Sequence, residues 1–306
     1  MLNQVLLKNE RGGVKIPSLC FGTGIVHSYH NENSDFFHTI KYWGRNFLKN
    51  HRQLKADLSI CNIIDAAMKA GNVCFDTSRA YGGAEFILGK QLKKYNRDNY
   101  FVITKLCNQD QYKGNIKEAF EKSLHELSMD YIDLYLMHWP VRGCYIDSWL
   151  QMEELYKKGM CRAIGVCNCN IHHLEEILRV CNIKPMVNQF ECHPLFTQTK
   201  LREYCRKNEI QVMAYTSTGR MDERLWKTAL LPIAKKYNKT LPQVILRWHQ
   251  QIGNIPIVNS TNTIHFMENM DIYDFNLTEE EINMIFSINI NSRLRYDPDN
   301  CDFSQL

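Results

Sequence analysis

The sequence has no long apolar segment. No window offers the ~18 consecutive apolar residues that a transmembrane helix requires. Its first residues, 1–8, also lack the charged start and apolar block of a secretory signal peptide. We therefore expect a soluble protein located in the cytoplasm, with no membrane among its partners.

The sequence also lacks clusters of basic residues and flexible linkers. Its 37 Lys and Arg residues against 33 Asp and Glu residues give a net charge of +4 that is spread along the chain. This pattern argues against a nucleic-acid partner. The 306 residues, 44% of them hydrophobic, allow one large domain or two medium ones. Because no Gly/Ser-rich or Pro-rich stretch divides the chain, we predict a single domain over residues 1–306.

The twelve cysteines show no metal-binding spacing. Cys167 and Cys169 are the only close pair, and no Cys/His pair at zinc-finger distance accompanies them. Most of the cysteines lie inside apolar runs of a chain without an export signal. These features predict reduced, buried thiols, with neither disulfides nor a metal site.

Short apolar runs alternate with amphipathic helical patterns, such as those at Ile60–Ala70 and Ile116–Leu127. Eight runs separated by helices predict a (β/α)8 barrel of the TIM type. A doubly wound sheet is the alternative, although Gly22-Thr23-Gly24 lacks the third glycine of a dinucleotide-binding turn. The eight runs, whose composition is typical of buried parallel strands, are Leu19–Gly22, Val73–Asp76, Phe101–Lys105, Ile132–His138, Ala163–Val166, Met186–Gln189, Gln211–Tyr215 and Ile255–Val258.

Two segments depart from this alternation. Val5–Leu7 and Val14–Ile16 flank a Gly-Gly turn and predict a β-hairpin ahead of the barrel. The long segment His27–Asp57 then separates the first strand from its helix. In a barrel this first βα-loop lies over the C-terminal face, and we expect it to act as a lid that carries Trp43.

Ionisable residues end three successive strands. Asp76 ends the second apolar run, Lys105 the third and His138 the fourth, and Tyr81 follows shortly after Asp76. Taken singly, such residues are commonly a helix N-cap, a solvated rim charge or a core histidine. Taken together they indicate a functional site, because neighbouring strand ends of a barrel converge on one cavity.

These four residue types suit proton delivery to a carbonyl group. The pKa of a tyrosine hydroxyl, near 10, is too high for efficient acid catalysis at neutral pH. A nearby ammonium stabilises the phenolate and lowers that pKa, and an aspartate holds the ammonium charged and in place. A histidine can donate a hydrogen bond that orients the carbonyl oxygen.

Beyond these residues, the sequence closely resembles the aldo-keto reductase superfamily over nearly its whole length, from Val14 to about Phe303. Both the Asp76-to-Tyr81 spacing and the Lys105-to-His138 spacing are similar to the family's. The matching motifs are Gly13-Val14-Lys15-Ile16-Pro17, Phe75-Asp76-Thr77-Ser78-Arg79-Ala80-Tyr81-Gly82, Thr104-Lys105-Leu106, His138-Trp139-Pro140, Ile164-Gly165-Val166-Cys167-Asn168, Asn188-Gln189-Phe190-Glu191-Cys192-His193-Pro194 and Ala214-Tyr215-Thr216-Ser217.

The resemblance implies a (β/α)8 barrel that binds NADPH and reduces a carbonyl. It implies Tyr81 as general acid, Lys105 and Asp76 as the residues that tune it, and His138 as the group that orients the carbonyl. Trp139, together with Trp43, is expected to contact the substrate. The cofactor-binding set that it implies comprises Asn168 and Gln189 for the nicotinamide carboxamide, Tyr215 for the ring, Thr216, Ser217, Thr218 and Gly219 for the pyrophosphate, Glu268 and Asn269 for the adenine, and also Gly22, Thr23, Cys167, Ser260, Thr261 and Asn262.

Some positions depart from the family's pattern. Cys167 replaces a serine that commonly precedes Asn168, and a thiol is the weaker hydrogen-bond donor. The loop after Tyr215 lacks the family's usual proline. Many members bind the 2′-phosphate with a Lys-Ser pair and an Arg six positions beyond the Lys. Here residues 255–263 contain no Lys or Arg. Hydroxyls, amides and His265 would therefore have to bind the phosphate. NADPH is therefore the expected cofactor, with NADH as an alternative.

The sequence thus predicts an NAD(P)H-dependent oxidoreductase that reduces a small aldehyde or ketone to an alcohol. The alternative is a cofactor-sensing binding subunit with slow or no turnover, as some barrels of this family are. A metal-dependent barrel hydrolase is a third hypothesis. It is disfavoured because too few His and carboxylate residues end the strands to bind a metal. A monomer is the family's usual state and the expected one here.

Overall fold

The computed structural model describes residues 3–24, 60–71 and 73–303. The predicted lid, His27–Asp57 with its Trp43, lies outside these residues. Within them, no helix is both long and apolar enough to cross a membrane.

Eight parallel strands close into a barrel. Each strand pairs with the next along the chain, and the last pairs with the first through Ile257–Cys20 and Val258–Phe21. The prediction of a (β/α)8 barrel is confirmed, and the doubly wound alternative is wrong because the sheet has no open edge. The barrel strands are β3 (Cys20–Gly22), β4 (Val73–Asp76), β5 (Tyr100–Leu106), β6 (Ile132–Met137), β7 (Cys161–Cys167), β8 (Val187–Glu191), β9 (Gln211–Tyr215) and β10 (Ile255–Val258).

Helices connect the strands and cover the outside of the barrel. Their apolar residues recur at helical spacing, as in α4, where Ile116, Phe120 and Leu127 are fully buried. The helices are α1 (residues 60–70), α2 (Ala84–Leu92), α3 (Asn108–Lys113), α4 (Ile116–Leu127), α5 (Tyr145–Lys157), α6 (Ile171–Val180), α7 (Thr199–Lys207), α8 (Leu230–Tyr237), α9 (Leu241–Gln251), α10 (Thr263–Met270) and α11 (Glu279–Phe286).

The predicted N-terminal hairpin is present. Strand β1 (Gln4–Leu7) pairs antiparallel with β2 (Val14–Pro17), and the connecting turn has Gly12 and Gly13 at positive φ. The hairpin contacts the segments that lead into barrel strands, since Lys8 pairs with Glu209 just before β9. It therefore lies at the N-terminal end of the barrel, opposite the C-terminal end where Asp76, Lys105 and His138 lie.

The strands form this barrel because almost all of their residues are apolar and buried on both sides. Every residue of β4, β5 and β6 is buried. Such runs fit a parallel sheet whose inner face packs on itself and whose outer face packs on helices. The few charged residues in these strands, among them Asp76 and Lys105, need partners within the structure.

Candidate active site

The carboxyl ends of the barrel strands bring the four predicted catalytic residues together. Asp76 is the last residue of β4, Lys105 is the penultimate residue of β5, and His138 follows β6 directly. Tyr81 lies in the turn after β4, where its N–H donates to the carbonyl oxygen of Ser78. Asp76, Tyr81 and His138 line one cavity, and Lys105 lies buried behind them.

Asp76 and Lys105 form a buried ion pair. The Lys105 Nζ atom lies 2.6 Å from Oδ1 of Asp76 and donates a second hydrogen bond to the carbonyl oxygen of Thr77 at 2.8 Å. The Lys105 side chain has no exposed surface. Burial lowers the pKa of its ammonium, but the facing Asp76, with smaller contributions from Tyr81 and Cys167, raises that pKa above its ordinary value. Lys105 is therefore a permanent cation at neutral pH.

The Tyr81 hydroxyl lies beside this cation. The Lys105 Nζ atom is 5.1 Å from the centroid of the Tyr81 ring. Burial raises the pKa of Tyr81, the positive charge of Lys105 lowers it, and Asp76 raises it, with a net increase. The direction differs from the lowering that the sequence suggests, because desolvation of the buried phenolate outweighs the effect of the ammonium.

His138 is an uncharged imidazole. Burial, Lys105 and Arg295 together lower its pKa to about 3. Its Nδ1 lies 3.5 Å from Oγ of Ser78, which accepts a hydrogen bond from the N–H of Ala80. The Ser78 hydroxyl is then free to donate to Nδ1, which places the imidazole proton on Nε2. A neutral imidazole with this tautomer can donate a hydrogen bond to a carbonyl oxygen.

The amide residues Asn168 and Gln189 stand next to the ion pair. Gln189 Nε2 donates to Oδ2 of Asp76 at 2.8 Å, and no described residue donates to its Oε1. Asn168 Nδ2 donates to the carbonyl oxygen of His138, while the Tyr215 hydroxyl donates to Asn168 Oδ1 at 2.7 Å. Each amide thus keeps some hydrogen-bonding capacity for a ligand, and both are fixed by residues of the same site.

The cavity continues from these residues across the C-terminal face to α10. Its volume is about 1270 Å3, which is enough for a dinucleotide cofactor together with a small substrate. Besides three of the predicted catalytic residues, the predicted site residues that line it are Gly22, Trp139, Asn168, Gln189, Tyr215, Thr216, Ser217, Thr218, Ser260, Glu268 and Asn269.

Other predicted cofactor residues do not line the cavity. Cys167 is buried, and burial raises the pKa of its thiol. Asn262 caps α10, since its Oδ1 accepts from the N–H of Ile264. Thr23, Gly219 and Thr261 also stand outside the lining. Like the residues that line the cavity, these five remain predictions as cofactor contacts.

The predicted 2′-phosphate region carries no cation of its own. Asn259 lies against Gly22, and its amide in the favoured orientation donates to the carbonyl oxygens of Gly22 and Val258. A Cβ atom at position 22 would lie only 1.9 Å from the terminal amide atom of Asn259 that faces it, so this contact requires the glycine. His265 lines the cavity nearby, as Arg220 and Lys235 do from other segments.

Sequence reasoning missed Glu191 and Arg295. Glu191 ends β8 and is fully buried, and its carboxylate accepts from the main-chain N–H groups of Leu294 and Arg295 at 2.6 and 3.1 Å. Arg295 lines the cavity. The available signal was the charged Glu191 at the end of an otherwise uncharged strand, but the partner lies 104 residues further along the chain.

Comparisons with known proteins agree with this geometry. The model of the Aldo/keto reductase family matches residues 44–290. This chain belongs to the aldo/keto reductase family. It is 43% identical to a glyoxal reductase of Bacillus subtilis over 237 residues, which are 77% of this chain and 86% of that protein.

Solved structures of the family superpose closely. An aldo-keto reductase from a Medee basin deep-sea metagenome library has a TM-score of 0.82 and 33% identity, with 96% of this chain and 99% of that chain covered. An aldo-keto reductase of the silkworm, Bombyx mori, complexed with NADPH has a TM-score of 0.78 and 26% identity, covering 96% and 90% of the two chains. The predictions of the family, of its barrel and of an oxidoreductase are therefore confirmed.

Proposed function

We propose that this aldo/keto reductase reduces small aldehydes and ketones, dicarbonyls included, with NADPH. The observation that carries the proposal is the arrangement at the strand ends. A buried Lys105–Asp76 ion pair lies beside the Tyr81 hydroxyl, and the neutral His138 lines the same cavity. This arrangement delivers one proton to one oxygen, which is what carbonyl reduction requires of the protein.

Tyr81 is the proton donor in this scheme. Its hydroxyl gives a proton to the carbonyl oxygen as that oxygen becomes an alkoxide. The Lys105 ammonium beside it stabilises the resulting phenolate, and Asp76 keeps Lys105 charged and in position. His138 donates a hydrogen bond to the same oxygen and so holds the carbonyl towards Tyr81.

The cavity fits a nicotinamide dinucleotide. Asn168 and Gln189 offer amide groups with spare capacity next to the catalytic residues, and Tyr215 presents a ring beside them. Glu268 and Asn269 line the distant end, where an adenine would lie. When bound, the cofactor supplies the hydride for the carbonyl carbon. The ring hydroxyl of Tyr215 is tied to Asn168, so the two residues would position the nicotinamide as a unit.

The relatives support this substrate class and cofactor. The Bacillus subtilis relative is named a glyoxal reductase, and the silkworm protein was solved with NADPH. Trp139 lines the cavity next to His138, where it would contact a substrate. We further propose that the protein acts as a single-domain monomer in the cytoplasm, without a nucleic-acid or membrane partner.

The test is cofactor oxidation, followed by near-ultraviolet absorbance with glyoxal, methylglyoxal and simple aldehydes. NADPH and NADH are compared for the wild type and for Tyr81→Phe. We expect carbonyl-dependent oxidation of NADPH, reduced by about 100-fold or more in Tyr81→Phe because the acid is lost. Tyr81→Phe should still bind NADPH, as protein fluorescence would show.

Cofactor binding without turnover on any carbonyl would contradict the proposal. In that case the binding-subunit alternative would take its place. Residual turnover in Tyr81→Phe equal to that of the wild type would show that another group donates the proton.

A further inference from the structure

Arg295 brings to the cavity a cation that forms no ion pair with the described residues. Its side chain is exposed and lines the cavity that also contains His138 and Tyr215. Its charge helps to lower the pKa of His138 after burial and Lys105, and it acts on Tyr215 as well. Arg295 therefore lines the same cavity as the predicted catalytic residue His138.

In the same segment, the side chain of Arg293 has structural partners. Its guanidinium lies 4.6 Å from the centroid of the Phe196 ring and 3.9 Å from the carboxylate of Asp297. Arg295 has no such partner: none of the carboxylates in the described part of the chain forms an ion pair with it. Its guanidinium carbon lies 6.0 Å from the centroid of the Tyr296 ring.

Glu191 holds the main chain from which Arg295 projects. Both carboxylate oxygens are used, Oε1 by the N–H of Leu294 and Oε2 by the N–H of Arg295. His193 Nε2 lies 3.0 Å from Oε1 and fixes the carboxylate in turn. Because Glu191 is fully buried at the end of β8, it sets the backbone of the C-terminal segment relative to the barrel. The main chain that carries Arg295 is therefore anchored to the barrel by hydrogen bonds to Glu191.

The charge around the cavity favours an anion. Among the described residues, Asp76 and Glu268 are the only carboxylates that line it. Asp76 is neutralised by Lys105, and Glu268 lies at the distant end with α10. Arginine is well suited to a carboxylate because its planar donors match the two oxygens.

We propose that Arg295 binds the anionic group of the substrate, so that the site prefers carbonyl compounds that also carry a carboxylate. This inference rests on the proposed reductase function. Arg295 would act on binding and orientation, with Glu191 as its positioning residue. The chemistry at Tyr81 is the same for charged and neutral substrates.

The test compares two nearly isosteric aldehydes, 4-carboxybenzaldehyde and the neutral 4-formylbenzamide. Values of kcat/KM with NADPH are measured for the wild type, Arg295→Gln and Arg293→Gln. We expect the wild type to prefer the carboxylate, and Arg295→Gln to lose about ten-fold or more on that substrate alone, chiefly in KM. Arg293→Gln removes the same charge from the same segment and should keep the preference. High salt should weaken it in the wild type.

A second measurement is independent of turnover. Binding of benzoate and benzamide to the NADP+-loaded protein is measured by calorimetry, and the preference for benzoate should disappear in Arg295→Gln. An equal carboxylate-to-amide ratio in wild type and Arg295→Gln would overturn the inference, although reduction of 4-formylbenzamide would leave the reductase function intact. Failure to reduce either aldehyde, with the benzoate preference present, would instead count against the reductase function.

Discussion

The ammonium of Lys105 lies 2.6 Å from Oδ1 of Asp76, and neither side chain is exposed to bulk solvent. The second oxygen of Asp76 accepts from Gln189. The ion pair therefore links the predicted proton donor Tyr81 on one side with a predicted nicotinamide-binding amide on the other. A change in the pair should affect both the acid and the cofactor end of the site.

The first prediction concerns the acid strength of Tyr81. In the double variant Asp76→Asn/Lys105→Met the pKa of Tyr81 should rise further, because the positive charge of Lys105 lowers it in the wild type. Reduction needs the protonated hydroxyl, so the alkaline limb of the kcat/KM profile should move to higher pH while the rate at neutral pH falls. Profiles from pH 7 to 11 measure this, with Asp76→Asn alone as the control. A limb that moves to lower pH would show that Lys105 does not stabilise the phenolate.

The second prediction concerns the buried His249. It lies 3.0 Å from the carbonyl oxygen of Ser217, and burial lowers its pKa to about 3. Between pH 6.5 and 3 the unfolded chain binds a proton that the folded chain does not, so its contribution to stability is complete above pH 6.5 and is lost as the pH falls. His249→Gln should remove about 1.4 kcal/mol per pH unit from the acid-side slope of the unfolding free energy.

Urea unfolding at a series of pH values measures that slope. The exposed His125→Gln is the control for a histidine outside the core. An unchanged slope in His249→Gln would mean that the imidazole is protonated in the folded protein.

The third prediction concerns the 2′-phosphate. His265 lines the cavity near the start of α10, and residues 255–263 supply no Lys or Arg. His265→Arg should strengthen NADPH binding by about ten-fold and leave NADH binding unchanged, because only NADPH carries the extra phosphate. Dissociation constants from fluorescence titration measure both.

Ile264→Arg is the matched control for this change. It adds the same charge one residue earlier on α10, at an exposed position that does not line the cavity. Equal gains in both variants would indicate a general electrostatic effect rather than a contact with the phosphate.

The fourth prediction concerns the packing of α2 on the end of α4. A Cβ atom at Gly89 would lie 2.3 Å from the carbonyl oxygen of Leu127, and no side-chain movement can relieve a contact with backbone. Gly89→Ala should therefore destabilise the protein by about 1–3 kcal/mol, despite the better helix propensity of alanine. Thermal unfolding measures this. Lys90→Ala, at an exposed position of the same helix, should leave the melting temperature nearly unchanged.

Much of the fold was predictable from local sequence patterns. All eight apolar runs correspond to barrel strands, and the hairpin and the amphipathic helices occur where the sequence places them. Strand type follows from continuous apolar runs, since a strand buried on both faces has no polar alternation. The candidate catalytic residues were also visible, because Asp76, Lys105 and His138 interrupt such runs at their carboxyl ends.

By itself, the sequence determined which segments are strands and helices and which polar residues end the strands. Only the tertiary structure decided how those residues share their hydrogen bonds. The Gln189 side chain donates a hydrogen bond to Asp76, 113 residues away in the sequence. The Glu191 carboxylate accepts one from the main chain of Arg295, 104 residues away. Likewise, the pKa of Tyr81 is raised overall because the closed barrel buries its hydroxyl. Hydrophobic periodicity is a local property that a sequence displays, whereas partner choice and desolvation depend on which distant strands become neighbours.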